Sequence, residues 1–195
     1  MKRINVNQPY AVYETLKNLF AKYQINYREI EHIPEGRSEE AAKVRGSEWK
    51  QGAKAIVLDA LVEEEQSSKR KYFLAVLPGP NKINLEVVKG LTGAKKISFA
   101  KTDFLKELTG CERGEIPPFS FNDELNIIFD PELLKNKEIT FNAGRLDRSI
   151  FISSDDYRKI LKNEYQERAV ECAISKIEEK STSMETVSAA IKKDT

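Results

Sequence analysis

The chain has 195 residues, of which 40% are hydrophobic and 32% charged, and a formal net charge of +1. That balance suits a soluble globular domain with a tail, and gross charge does not announce a nucleic-acid binder, so any such contact must rest on a local patch. Two cysteines without CxxC spacing, Cys111 and Cys172, and a single histidine, His32, exclude a usual zinc site.

Pro9 opens an amphipathic pattern with Val12, Leu16, Leu19, Phe20 and Tyr23 on one stripe, which predicts a helix over 9–23. Residues 25–32 alternate and read as a strand. Ser38 starts a short helix that ends at Gly46. Residues 52–62 and the run from Tyr72 to Gly79 are apolar and β-branched, and predict two buried strands of a hairpin with the polar run 63–71 as its loop. A helix follows over 84–91 with Asn84 as cap, then a strand at KKISFA, then a helix capped by Thr102 and ended by Gly110. ELNIIFD is a strand, and Asp130-Pro131 begins a helical turn. KEITFNAG and RSIFIS are two more strands around a turn at 142–147. Short strands interleaved with short helices, without a regular βαβ rhythm, predict an α+β domain with a mixed sheet. From Ser153 onward, Tyr157, Leu161, Tyr165, Ala169, Cys172 and Ile177 fall near one helical face. This places a domain boundary near Lys162, with a domain over 1–162 and a helical C-terminal extension over 163–195 whose last segment has little to bury.

The N-terminal MKRINVNQPYAVYETL lacks the apolar core of a signal peptide, and no apolar run approaches the roughly 20 residues of a membrane span. The expectation is a cytoplasmic protein without a membrane segment, a metal or a cofactor.

With one histidine, no Ser/His/Asp or Cys/His triad assembles. His32 reads as a surface or pocket-edge residue sooner than a catalytic base, and Cys111 as a small structural thiol sooner than a reactive one. Lys54 lies inside an apolar strand. Alternation puts it on one face with Ile56 and Leu58, and Ala53, Ala55 and Val57 on the other. A solvated edge lysine and a functional one fit that pattern equally. The loop Gly114-Glu115-Ile116-Pro117-Pro118 has the freedom and stiffness to present backbone N–H groups to an oxyanion, although most such loops are plain turns. Asn142-Ala143-Gly144 ends a strand in a tight turn, either lining a cleft or simply closing a hairpin. Arg37, Lys43, Arg45 and Lys50 suit a nucleic-acid contact or an ordinary solvated helix face.

Taken in order, EHIPEGRSEEAAKVRG, QGAKAIVLDA, FLAVLPGPNKINLEVV, ELTGCERGEIPPF and FNAGRLDRSI resemble the YbaK/ProX family, the editing domains related to the one inserted in bacterial prolyl-tRNA synthetase. The resemblance covers roughly residues 10–162. It implies a strongly curved central β-sheet with surrounding short helices. It also implies hydrolysis of the ester that joins a wrongly attached amino acid to the 3′ end of tRNA, with the tRNA acceptor end as partner and an aminoacyl-tRNA synthetase as a further one. By resemblance, Lys54 is the strand lysine that engages the substrate near its 3′-terminal nucleotide. Gly114 and Pro118 are the ends of the GxxxP loop that holds the ester, with Gly114 and Lys54 as the catalytic pair. Asn142, Ala143 and Gly144 are the turn that borders the pocket. The expected substrate-binding set is these three with Pro118 and, from its own place at a strand end rather than from the resemblance, His32. Some members carry a histidine just after that turn. Here Arg145, Leu146, Asp147 and Arg148 stand there, so alanine specificity is not carried over. Two further readings remain: a tRNA- or synthetase-binding module without turnover, and a hydrolase of another activated ester.

Overall fold

The computed structural model describes residues 11–64 and 67–177. The segments 1–10, 65–66 and 178–195 lie outside the described residues, and with them the start of the helix expected over 9–23 and the fraying expected at the end of the chain.

Helix α1 (Ala11–Tyr23) buries Val12, Leu16, Leu19 and Phe20, the stripe read from the sequence. Strand β1 (Tyr27–Glu31) and helix α2 (Ser38–Arg45) follow, and α2 ends on Gly46 in the left-handed conformation. After a 3-10 turn at Trp49–Gln51 come the long strands β2 (Ala53–Glu64) and β3 (Ser67–Pro78), then β4 (Asn81–Ile83), α3 (Leu85–Thr92), β5 (Ala94–Phe99) and α4 (Thr102–Thr109). Strand β6 (Leu125–Phe129), a 3-10 turn at Pro131–Lys135, β7 (Glu138–Asn142), β8 (Arg148–Ser153) and α5 (Ser154–Ile160) complete the part with a family resemblance. Two short strands remain, β9 (Ala169–Glu171) and β10 (Ser175–Ile177).

The largest sheet has the order β5-β2-β3-β6-β9, antiparallel except for the parallel pairs β3–β6 and β6–β9. A second, antiparallel sheet has the order β1-β8-β7, and β10 pairs with β4. A parallel bridge between Gly52 and Thr140 joins the start of β2 to β7. The architecture is the mixed α+β arrangement expected.

The main core fills the space between the two larger sheets and the helices α1, α4 and α5. Phe119 sits at its centre, edge-on to Phe20, Phe141 and Tyr157 at 5.2–5.9 Å between ring centres, the geometry that aromatic quadrupoles favour. Val57 and Ala53 belong to this core. Leu58 and Ile56 belong to a second cluster under α3 with Ala75, Val88, Ile128 and Ile174, so β2 presents its two faces to two cores as its alternation predicts.

Three local readings change. The polar run 63–71 is mostly strand, because the β2–β3 ladder continues from Leu61 opposite Arg70 to Glu64 opposite Ser67, past the point where the core ends. Thr102 is the first residue of α4, whose cap position is Lys101. The helix expected to run on from Ser153 gives way to a π-helical turn at Leu161–Tyr165 and a 3-10 turn at Gln166–Arg168, after which the chain is extended. Tyr165 stays in the main core at 2% exposure, whereas Ile177, placed on the same helical face by its spacing, is 74% exposed. Pairing with β6 and β4 overrides the helical pattern there, as tertiary context commonly does.

Asp130 organises that change. Its side chain is buried and accepts from Glu132 N–H at 2.9 Å, Ile174 N–H at 3.0 Å and the Ser175 hydroxyl at 2.6 Å. Asn81 Nδ2 also donates to Ser175, at 2.9 Å. Among the described residues no helix is long and apolar enough to cross a membrane.

Candidate active site

The turn between β7 and β8 shapes one wall of the site. Asn142 lies opposite Ser149 in the ladder, and Ala143 N–H donates to Arg148 C=O at 3.0 Å to close the hairpin. Gly144 has φ +75°, and a methyl group there would lie 2.9 Å from Val12 on α1. Both the backbone and the overlying helix therefore require glycine at this position. Its N–H donates to Glu115 C=O at 3.0 Å, which ties the turn to the neighbouring loop.

That loop contains the other demanding glycine. Gly114 has φ +90° and packs backbone to backbone against Gly36, so that a methyl group at Gly114 would come within 2.7 Å of the Gly36 Cα. Farther along, residues 116–121 are buried, and Pro118 C=O accepts from the Tyr157 hydroxyl at 3.0 Å. Pro118 thus anchors the loop to the core. Asn142 Nδ2 donates to Gly114 C=O at 2.8 Å and to Glu35 C=O at 2.9 Å, spanning the two facing segments. The carbonyls of Gly114 and Glu115 are both held by the Asn142–Gly144 turn. The Gly114 N–H takes part in no hydrogen bond among the described residues, and Gly114 is partly exposed.

Behind Asn142 lies a compact polar cluster. Arg45, the last residue of α2, turns inward. Its Nη2 donates to Asn142 Oδ1 at 2.6 Å and its Nε donates to Ser149 Oγ at 2.7 Å. Donors on one side of the carboxamide and carbonyls on the other fix which way Asn142 points. Burial alone pulls the Arg45 pKa down to about 10, which leaves the guanidinium charged at neutral pH. Ser149 is fully buried and is 3.1 Å from Asn142 Oδ1 and 2.7 Å from His32 Nε2. His32 Nδ1 faces the Ile33 carbonyl at 2.8 Å and must carry a proton to bond it. Ser149 has a single proton to give. It goes to His32 when the ring is neutral and to Asn142 when His32 Nε2 is itself protonated. His32 thus joins the cluster through Ser149.

Lys54, on β2, reaches the β3–β4 turn. Its ammonium donates to Gly79 C=O at 2.8 Å and to Asn81 C=O at 2.5 Å. It is half-buried rather than a solvated edge residue. Trp49 Nε1 donates to Ser38 Oγ at 3.0 Å, and Gly79 packs against both Trp49 and Ser38. Lys54 is thus tied to the β3–β4 turn, and Gly79 of that turn packs on Ser38 at the start of α2.

The structure gathers Gly114, Asn142, Ala143, Gly144 and His32 into one group; Pro118 is turned into the core, and Lys54 is bonded to the β3–β4 turn rather than to any member of that group. Of the four basic residues near this region, Arg37 pairs with Glu35, Lys43 with Glu40 and Lys50 with Glu48 on the surface, and only Arg45 joins the site. Arg37 holds the Glu35 carboxyl down at about 2. Burial pushes the Cys111 thiol well up, so it does not present a thiolate nucleophile. Sequence reasoning missed Ser149 and the inward turn of Arg45. The one available signal was a serine set within the apolar run of β8.

The sequence pattern of the aminoacyl-tRNA editing domain matches residues 32–160. The chain is 33% identical over 155 residues to the multifunctional Ser/Thr-tRNA deacylase ProXp-y of Escherichia coli K12, an alignment that covers 79% of this chain and 90% of that protein. It is 27% identical over 143 residues to the prolyl-tRNA editing protein ProX of Acetoanaerobium sticklandii, covering 71% and 84% respectively. Its fold superposes on the crystal structure of hypothetical protein APE2540 with a TM-score of 0.68 at 19% identity, over 83% of this chain and 99% of the other.

Proposed function

The chain belongs to the aminoacyl-tRNA editing domain family, and from that premise we propose that it is a trans-editing hydrolase that removes wrongly attached amino acids from the 3′ end of tRNA in the cytoplasm. The observation that carries this reading at the site is the Gly114 loop: its two carbonyls are held from behind by Asn142 and Gly144, and its Gly114 N–H is left for a ligand.

An aminoacyl ester is already activated, so its hydrolysis needs a placed water and a donor for the developing oxyanion. In this reading the Gly114 N–H receives the carbonyl oxygen as water attacks the carbonyl carbon. The bond from that carbon to the ribose oxygen breaks, and the proton lost by water ends on the departing ribose hydroxyl. The vicinal 2′-hydroxyl of the terminal ribose relays that proton, which suits a site without a catalytic triad. Lys54 brings a mobile positive charge to the 3′-terminal nucleotide.

Arg145 and Asp147 pair with each other through two hydrogen bonds of 2.8 and 2.7 Å where some relatives carry a histidine. Seryl and threonyl esters, the substrates in the name of the Escherichia coli relative, are accordingly the first to try. An aminoacyl-tRNA synthetase is proposed as the protein that hands over the substrate.

The test is deacylation of a panel of tRNAs mischarged with Ser, Thr, Ala or Cys, by wild type and Lys54→Ala. Release of Ser or Thr that drops at least about tenfold in the variant supports the reading. Retained tRNA binding with no release of any amino acid replaces it with the binding-module reading.

A further inference from the structure

Asn142 stands in the turn that borders the pocket, yet both of its N–H groups are already given, to Gly114 C=O and Glu35 C=O. Its carboxamide has no donor left for a substrate. What it does is hold two facing backbone segments at a fixed separation, the separation at which Gly114 and Gly36 touch. Its own orientation is set by Arg45, which donates to its oxygen at 2.6 Å and to the flanking Ser149 at 2.7 Å.

We propose that Arg45 is a positioning residue for the hydrolysis, acting through Asn142 to hold the Gly114 N–H in the place where the oxyanion develops. This inference rests on the deacylase reading above. Three features of Arg45 support it. Its planar fork bridges Asn142 and Ser149 at once, a geometry that the point charge of lysine does not reproduce. No ion pair to a carboxylate is found for it among the described residues, unlike Arg37, Lys43 and Lys50 beside it. It reaches from the end of α2 to a pair of residues on β7 and β8, so it fixes the α2 segment to the same turn that holds the loop.

The experiment compares wild type, Arg45→Lys, Asn142→Ala and the double variant in steady-state deacylation of a charged tRNA that the wild type hydrolyses. Binding of an amide-linked, non-hydrolysable 3′-aminoacyl-adenosine is measured alongside. Arg45→Lys is expected to lower kcat by up to about 100-fold, with KM and analogue affinity within about threefold of wild type. Because Arg45 works through Asn142, the double variant is expected to be no slower than Asn142→Ala alone. In ¹⁵N-labelled protein the Gly114 amide resonance should shift or broaden in Arg45→Lys and stay in place in a Lys43→Arg control on the exposed face of α2, a readout that needs no turnover.

A rise in KM with kcat unchanged would make Arg45 a substrate-binding cation and overturn the proposal. Additive losses in the double variant, or an unmoved Gly114 resonance, would overturn it as well. A wild type that hydrolyses no aminoacyl ester defeats the deacylase reading and this proposal together, whereas an active wild type matched by Arg45→Lys defeats this proposal alone.

Discussion

An alanine at Gly114 has nowhere to put its methyl group. The backbone conformation at φ +90° disfavours any side chain, and the Gly36 Cα would lie 2.7 Å away. Because the obstacle is backbone, the loop must move. Gly114→Ala is therefore expected to cost at least about 1 kcal/mol in stability and to lower kcat for deacylation by about 10-fold or more, read from a urea midpoint and a single-turnover assay. An unchanged kcat would show that the Gly114 N–H does not serve the reaction. Gly114 was legible in the sequence as a loop glycine of uncommon freedom, and Lys54 as a polar residue on a defined face of a buried strand. Their partners were not. The contact of Gly114 is Gly36, and neither carries a side chain that could advertise the pairing. The acceptors of Lys54 are backbone carbonyls, which any residue type supplies.

At the level of elements, α2 shows why the inward turn of Arg45 stayed hidden. The helix has eight residues and buries only Ala41 and Ala42, so its own pattern says little about which way its last side chain points. The decisive contacts lie 97 and 104 positions away along the chain, at Asn142 and Ser149, and depend on the register of β7 against β8. The chain after Arg168 teaches the same lesson from the opposite side. Its apolar residues fit a helical spacing, but the free edge of β6 and the side chain of Asp130 draw it into strands. Asp130→Ala leaves the Ile174 N–H and the Ser175 hydroxyl without their acceptor. A loss of about 1–3 kcal/mol for each is expected, with faster amide exchange confined to residues 169–177 and to Glu132, whose N–H the same carboxyl group accepts. Exchange that rises evenly over the whole protein would show that Asp130 holds more than this segment.

For the molecule as a whole, the sequence was sufficient for the fold class and for most element positions, because the buried stripes of α1 and the two faces of β2 are written in local periodicity. The sheet order, with two parallel pairs at β6, was not, since it depends on which strand edges remain open after the hairpins have formed. The core also sets a pH limit. Burial raises the Cys111 thiol above its ordinary value of 9.0 and the Tyr157 and Tyr165 hydroxyls above 10.0. The unfolded chain releases these protons near the ordinary values while the folded protein retains them. Their contribution is therefore intact below about pH 9 and is lost progressively as pH rises beyond it. Urea midpoints should fall between about pH 8 and pH 10.5, and more gently in Cys111→Ala; parallel curves for the two proteins would remove the thiol from this account.

The pairing of β10 with β4 also orders events in time. Ser175 binds both Asp130 and Asn81, and Asn81 C=O is one of the two acceptors for Lys54. During synthesis the ribosome releases every other described part of the fold before this strand. Until then Asp130 is without two of the donors that its carboxyl group takes in the folded protein, and Asn81 is without the Ser175 hydroxyl. The nascent chain thus gains the strand that braces Asn81, and with it an acceptor of Lys54, only after the residues of the Gly114 loop and of the turn that holds it have been synthesised.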